Sequence, residues 1–341
     1  MINFININPV YSGIYKITRS YYESLEDKNI EAKWINIRFD ARHNFSEFIN
    51  PPLYHFTQLV GNGYFLNQLV NRFLKLNTGN IFSILTSPDI YVSNVKNVLY
   101  VIHDFFPVDD ELSEERTEKV RIIDKIGTKN VFNYILRNDI PVITPSIFVA
   151  NIARNKGYNV ITPLYYKKRM SEIKRVRETV KTILSIGSND QRKRPDLVID
   201  FLNSLPAEYT FIRVGGDLST LHGKEIKPKC KFEYYHNLSE DQLDALYNRA
   251  DILFFPSEKE GLGLPIIEAL IHRIPVLINS KLETAKELDY GMGTFIYFED
   301  VNDIDLETVY DKRPDFDGWY KKYSEISEGQ LNNLVDFIKG R

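Results

Sequence analysis

The stretch from Ile252 to Ile278 leaves a chain few folds to choose from. Four apolar residues, Ile252-Leu253-Phe254-Phe255, run into the turn Pro256-Ser257-Glu258-Lys259-Glu260. Gly261 and Gly263 follow, Pro265 opens a helical pattern through Leu270, and a second apolar strand pattern runs from Pro275 to Ile278. Strand, glycine loop, helix and strand in that order make a βαβ unit, which needs a parallel sheet with helices on its faces. Proline suits the first helical position, where its missing N–H costs nothing. The unpaired N–H groups of that helix end attract anions. Glu260 precedes the glycines and Glu268 lies about one turn inside the helix. Two carboxylates thus flank a phosphate-friendly helix start, which suits a ligand carrying both hydroxyls and phosphates.

The same alternation recurs upstream. Ile2 to Ile7 reads as a strand, Asn8 to Gly13 as a loop, and Ile14, Ile17, Tyr21 and Leu25 as a helix stripe before a strand at Ala32 to Ile37. Gly13 stands at the carboxyl end of the first strand, where doubly wound sheets bind ligands; as a plain turn glycine it needs no such role. Ile81 to Leu85, Val98 to Ile102 and Pro141 to Thr144 are further strands. His103 follows the second of these, in place either for chemistry or for capping the strand against Asp104. Ser146 is the expected N-cap of a helix closed by Gly157.

A second alternation starts at Val180 to Ile186, with strands at Tyr209 to Val214, Phe232 to Tyr235 and Thr294 to Phe298. Helices are expected at Pro195 to Leu205, Ser239 to Arg249 and Trp319 to Ile338. At 341 residues the chain is long enough for two domains. The basic run after Lys167 separates them. Arg192-Lys193 falls in the turn after the strand ending at Gly187, and two cations there describe a diphosphate clamp. Gly215-Gly216 ends a strand and permits close backbone approach.

Composition excludes several classes. A net charge of −3 gives no global pull toward nucleic acid. The single Cys230 rules out an internal disulfide and a cysteine metal cluster, and points to a reducing compartment. Met1-Ile2-Asn3 starts no signal pattern and no apolar run is long enough to cross a bilayer, so a cytoplasmic location is expected. The stripe Phe65, Leu66, Leu69, Phe73, Leu76 has two readings, a core-facing helix and a membrane-surface helix, and the first is the commoner kind. Gly61-Asn62-Gly63 lacks the rest of a dinucleotide fingerprint, and Asp109-Asp110 reads as the acidic start of a helix rather than a metal pair.

These residues resemble the retaining glycosyltransferases of GT-B fold, family four, the glycosyl transferases group 1. The resemblance rests on Glu260 to Glu268, a Glu, seven residues and a Glu, preceded by Pro256-Ser257. Ser185-Ile186-Gly187 through Arg192-Lys193, Asp241 to Asp251, and Val101-Ile102-His103-Asp104 resemble other parts of that pattern. It is strong over residues 180 to 290 and weaker, though in the right order, over 1 to 165. The chain departs from it at Arg194, where Gly or Asn is common, at Ser188, in the single Gly13, and at Val160 to Leu164, which lacks the usual Pro-Asn-Gly.

The resemblance implies two facing Rossmann-like doubly wound α/β domains with a cleft between them. Residues 1–165, with a C-terminal helix over 315–341 crossing back, would take the acceptor, and residues 178–312 the donor. It implies transfer of a sugar from a UDP- or GDP-linked donor to a hydroxyl with retention, by front-face attack in which the donor phosphate takes the acceptor proton. Neither metal nor cofactor is implied. Arg192 and Lys193 would hold the diphosphate, Glu268 the ribose, and Glu260 the transferred sugar. The backbone of Gly261, Leu262, Gly263 and Leu264 would meet sugar or phosphate, His103 the sugar near its reacting carbon, and Gly13 the phosphate or acceptor. The acceptor, whether lipid, glycan or protein, is not readable, and a peripheral membrane contact stays open. The main alternative is a catalytically silent GT-B module that binds a nucleotide or glycan. A GT-B epimerase or phosphorylase ranks below it, and a dehydrogenase lacks its glycine fingerprint.

Overall fold

The computed structural model describes residues 2–6, 8, 12–36, 82–88, 97–106, 108, 129–173, 179–221, 223 and 225–340. The Phe65–Leu76 stripe, Gly61-Asn62-Gly63 and Asp109-Asp110 lie outside the described residues. Two units emerge: residues 1–167 with 327–341, and residues 168–326.

The first unit is built on β1 (Ile2–Asn6), β2 (Ala32–Asn36), β3 (Phe82–Leu85), β4 (Val98–Val101), β5 (Val142–Thr144) and β6 (Val160–Pro163). They form one parallel sheet in the order β2-β1-β3-β4-β5-β6. The order reverses between β1 and β3, so the ends of these two strands flank the switch point. Helix α1 (Gly13–Asp27) follows β1, capped by Ser12, whose hydroxyl accepts from the Tyr15 amide at 3.1 Å. Helix α2 (Ile147–Asn155) is capped by Ser146 as its sequence predicts, and Gly157 follows it with φ +87°. Strand β6 is absent from the sequence expectations. It sits at the sheet edge, where Pro163 is tolerated because one side of the strand needs no ladder partner. Trp34 on β2 stacks on Phe4 at 5.8 Å and donates to Asn36 at 2.8 Å.

The second unit holds β7 (Thr182–Gly187), β8 (Thr210–Gly215), β9 (Lys231–Tyr235), β10 (Ile252–Phe255), β11 (Val276–Asn279) and β12 (Phe295–Phe298). Its parallel order is β12-β11-β10-β7-β8-β9. Numbered within the unit this is 3-2-1-4-5-6, the Rossmann order, with the switch point between β7 and β10. Strands covered on both faces must be apolar along their whole length, which is why β10 and most of β11 read as unbroken hydrophobic runs. Helix α3 (Pro195–Ser204) follows β7. Helix α4 (Glu240–Arg249) starts with a reciprocal Ser239–Gln242 capping box. Helix α5 (Leu264–Ile271) follows β10, with Pro265 at its second position, one residue later than the sequence suggests.

The last helix, α6 (Phe316–Lys339), is shared. Up to Ile326 it belongs to the second unit, where Trp319 is fully buried, stacks on Tyr323 at 4.9 Å and donates to the Leu288 carbonyl at 2.8 Å. From Ser327 it belongs to the first, where Gln330 accepts from the Tyr165 amide at 2.9 Å.

Candidate functional site

At the switch point of the second unit, the turn after β7 is laced to the loop after β10. The Glu258 amide donates to the Arg192 carbonyl at 2.9 Å, and Arg192 Nη1 donates to the Lys259 carbonyl at 2.8 Å. From the loop's other side, Thr284 donates to the Glu260 carbonyl at 2.9 Å and Asn279 to the Pro256 carbonyl at 3.1 Å. This lacing brings the two cations of the basic turn onto Glu260. Lys193 Nζ lies 2.8 Å from Oε1 and Arg192 Nη1 lies 3.1 Å from Oε2, while Ser257 Oγ donates to Oε1 at 2.9 Å. Burial alone would raise the Glu260 pKa, but the Lys193 and Arg192 charges outweigh it and hold the carboxyl below its usual range. Glu260 is therefore an ionised, buried carboxylate clasped by two cations. The two cations stand together in the turn where the sequence places them, and they hold an acid 67 residues away in the chain.

Arg194 continues the basic turn at φ +49°, left-handed and immediately ahead of Pro195. This conformation explains why Gly or Asn suits the position. A side chain there costs about 1 kcal/mol of backbone strain. Arg194 offsets this by pairing with both oxygens of Asp196, Nη2 to Oδ2 at 2.7 Å, and with Glu258.

Past Glu260, Gly263 caps α5 at φ +80°, and a Cβ there would crowd Ile266. Gly261 to Leu264 thus lead the chain from the ion cluster straight into a helix N-terminus. Glu268 is buried and separate from the cluster. Its Oε2 accepts from Tyr247 at 2.9 Å, and its carbonyl takes a bond from His272 Nδ1 at 2.7 Å. A carbonyl only accepts, so Nδ1 carries the proton. The His272 ring stacks on Tyr247 at 5.0 Å, and burial lowers its pKa.

One functional-looking residue escaped the sequence reading. Arg213, in the middle of β8, is 2 % exposed. Its guanidinium donates to Ser185 Oγ at 3.0 Å, to the Gly187 carbonyl at 2.7 Å and to the Ser188 carbonyl at 3.3 Å. Burial lowers its pKa to about 10, so it stays charged at neutral pH. The close approach expected of Gly215-Gly216 is made to this same turn: a Cβ on Gly215 would strike the Gly187 carbonyl, and one on Gly216 would strike Asn189.

In the first unit, His103 lies two residues past the end of β4 and is buried. Its Nε2 lies 2.8 Å from the Thr86 carbonyl, so Nε2 holds the proton and Nδ1 presents a lone pair. Nδ1 is buried without a partner among the described residues. Burial lowers the His103 pKa to about 4, against a small opposing effect of the Thr86 bond, so the ring is neutral. At the neighbouring strand ends, Asn8 Nδ2 donates to Thr86 Oγ1 at 3.2 Å, Thr86 Oγ1 to Asn6 Oδ1 at 3.2 Å, and the Asn8 amide to Asn6 Oδ1 at 3.1 Å. The sequence reading passed over Asn6, Asn8 and Thr86; their place at the ends of β1 and β3 was the available signal. Gly13 is exposed in the first turn of α1. Of the sequence-expected residues, Arg192, Lys193 and Glu260 form one cluster, Gly261 to Leu264 adjoin it, and Glu268 lies further along α5. His103 and Gly13 belong to the first unit.

Comparison with known proteins identifies a matching family model and several similar chains. Residues 167–303 match the family model of the glycosyl transferases group 1. The O-antigen chain mannosyltransferase RfbU of Salmonella typhimurium is 26 % identical over 169 residues, which is 46 % of this chain and 48 % of that protein. The chain spans about half the length of the curated relatives it matches. The sucrose-phosphate synthase of Thermosynechococcus elongatus is similar in structure, with a TM-score of 0.70 at 14 % identity over 99 % of this chain and 98 % of that one. The lipopolysaccharide outer core galactosyltransferase WaaB in its apo form gives 0.61 at 11 % identity over 99 % of both chains. The two parallel six-stranded sheets with their helices are a two-domain α/β fold of the GT-B type.

Proposed function

We propose that this protein is a glycosyltransferase. It moves a sugar from a UDP- or GDP-linked donor to a hydroxyl acceptor, with retention of anomeric configuration and without a metal ion. The observation that carries this reading is the cluster of Arg192, Lys193 and Glu260 at a Rossmann switch point, joined through Gly261–Leu264 to the start of α5.

Loss of the nucleotide leaves negative charge on its diphosphate, and preorganised cations lower the barrier to that departure. Lys193 and Arg192 supply them. An ammonium has three donors and a guanidinium five. Lys193 uses one of its donors on Glu260, so it can keep that bond and still receive a phosphate oxygen. Glu260 then orients the cations and is assigned hydroxyls of the transferred sugar. Glu268, bonded by the Tyr247 hydroxyl, is assigned the ribose. In the first unit, the lone pair of His103 Nδ1 is assigned a hydroxyl of the sugar near its reacting carbon, and Gly13 a phosphate or acceptor contact. The acceptor is a lipid, glycan or protein hydroxyl, and a peripheral membrane contact belongs to the same reading. Among the described residues no helix is long and apolar enough to cross a membrane.

Titration calorimetry of UDP and GDP against wild type and Lys193→Ala tests the proposal. Binding of one nucleotide, lost in the variant, supports it, and no binding of either defeats it. A panel of sugar nucleotides headed by mannosyl donors, chosen because a relative is named as a mannosyltransferase, then reads hydrolysis or transfer. Binding with no turnover across the panel would instead indicate the catalytically silent module.

A further inference from the structure

Buried charges are normally paired, because desolvating an ion without a counter-charge costs several kcal/mol. Arg213 breaks this pattern. Its partners are a hydroxyl and backbone carbonyls, and among the described residues no carboxylate lies within ion-pair distance. Nothing in the folding of β8 demands an arginine, since Phe211, Ile212 and Val214 beside it are ordinary buried strand residues.

Its position supplies a reason. A point one bond off the Gly187 Cα, where a Cβ would sit, lies 3.4 Å from Lys193 Cδ and 3.8 Å from Arg213 Nη1. The Lys193 stem and the Arg213 guanidinium therefore flank the same glycine. Arg213 also holds the carbonyls of Gly187 and Ser188, the first two links of the turn that carries Arg192 and Lys193. Arg192 and Lys193 pair with the buried Glu260, and Arg192 also lies 3.8 Å from the half-exposed Asp190, whereas Arg213 adds a third charge with no carboxylate at ion-pair distance among the described residues.

We propose that Arg213 is a positioning residue for the anionic part of the ligand: it fixes the turn after β7 from beneath and contributes positive charge that Glu260 does not cancel. The ligand chemistry this favours is a diphosphate, whose charge the excess cations complement. The inference rests on the donor-binding reading above. It differs from that reading in placing part of the recognition on a residue buried under the loop, out of reach of direct contact.

The test compares nucleoside diphosphate with the matching nucleoside, UDP with uridine and GDP with guanosine, by titration and saturation-transfer NMR. Arg213→Met keeps much of the side-chain volume and removes the charge. It should lose at least tenfold in diphosphate affinity while nucleoside affinity changes less than twofold. Arg213→Lys keeps the charge without the planar fork, and should fall between the two, with the diphosphate-to-nucleoside affinity ratio down about threefold. Equal change toward both ligands, or no change, overturns the proposal, since a purely structural role moves both alike. If Arg213→Met does not fold, the lysine variant decides alone: a wild-type ratio overturns the proposal and a ratio lowered threefold or more upholds it. Wild type that binds neither nucleotide would defeat the donor-binding reading itself; wild type that binds while the variants behave identically would defeat only the role of Arg213.

Discussion

The two sheets carry opposite chemistry at equivalent places. Both are parallel, both reverse strand order once, and both gather polar side chains at strand ends near the reversal. In the first unit these are Asn6, Asn8, Thr86 and a neutral His103, all uncharged. In the second they are Arg192, Lys193 and the ionised Glu260, with Arg213 of β8 bonded to the turn that carries the two cations. One topology therefore carries two kinds of side-chain chemistry. Neutral amides, a hydroxyl and an imidazole lone pair match other hydroxyls, whereas excess cations match phosphate. The difference is made by a few residues at strand ends, where the backbone scaffold places no demand on residue type.

Predictions that strain this contrast run from large to small. Lys193→Ala should have the greatest effect, reducing transfer at least a hundredfold and nucleoside diphosphate affinity at least tenfold, measured by steady-state kinetics and calorimetry. A variant with wild-type affinity would show that the charged edge does not bind the diphosphate. Next come the two glutamates. Glu260→Gln should lower transfer about tenfold or more while nucleotide affinity changes little, and Glu268→Gln should weaken nucleotide binding itself. Equal effects on UDP or GDP affinity would merge the two roles.

Acid titration separates the units in a third way. His103 is protonated more readily in the unfolded chain (ordinary value 6.5) than in the fold, where its pKa is about 4. Its protonation therefore erodes stability as pH falls from about 6.5 to 4, by up to about 3 kcal/mol. Glu260 is shifted the same way but from 4.5, so its stabilising contribution is complete above that pH and is lost below it, as pH falls through the folded value. Denaturation followed against pH should show His103→Asn flattening the upper part of the acid limb and Glu260→Gln only the lower. Interchange of these effects would contradict the charge assignments. The smallest effect is expected for Arg194→Gly. It relieves a left-handed side chain but gives up half-exposed pairs to Asp196 and Glu258, so the two nearly cancel. A Tm within a few degrees of wild type is expected, and a large loss would mean the Arg194 pairs support the turn.

Much of this was legible from residue order. Apolar runs broken by glycine and proline marked almost every described strand, Ser146 was legible as an N-cap, and Ser239 as the start of its helix, whereas Ser12 reads only as part of a loop. Strand β6 was missed because its Pro163 and the basic run after it imitate a linker. Arg213 was missed because a lone arginine between apolar strand residues reads as the solvent-facing member of an alternation, and only the fold shows both faces covered. The Glu260–Lys193 pair spans two loops of different strands, so no local pattern carries it. The left-handed turn at Arg194 was visible only as a departure from the usual Gly or Asn.

The distribution of tryptophan has a practical consequence. The chain has two, and Trp34 lies in the first unit and Trp319 in the second. Trp319 is sealed in the core on Tyr323, whereas Trp34 stacks on Phe4 beside a polar strand edge. Each half thus carries its own fluorophore, in surroundings different enough to emit at different wavelengths. With Trp34→Phe and Trp319→Phe, a single denaturant series reports the melting of each half separately, and shows whether a ligand protects one of them or both.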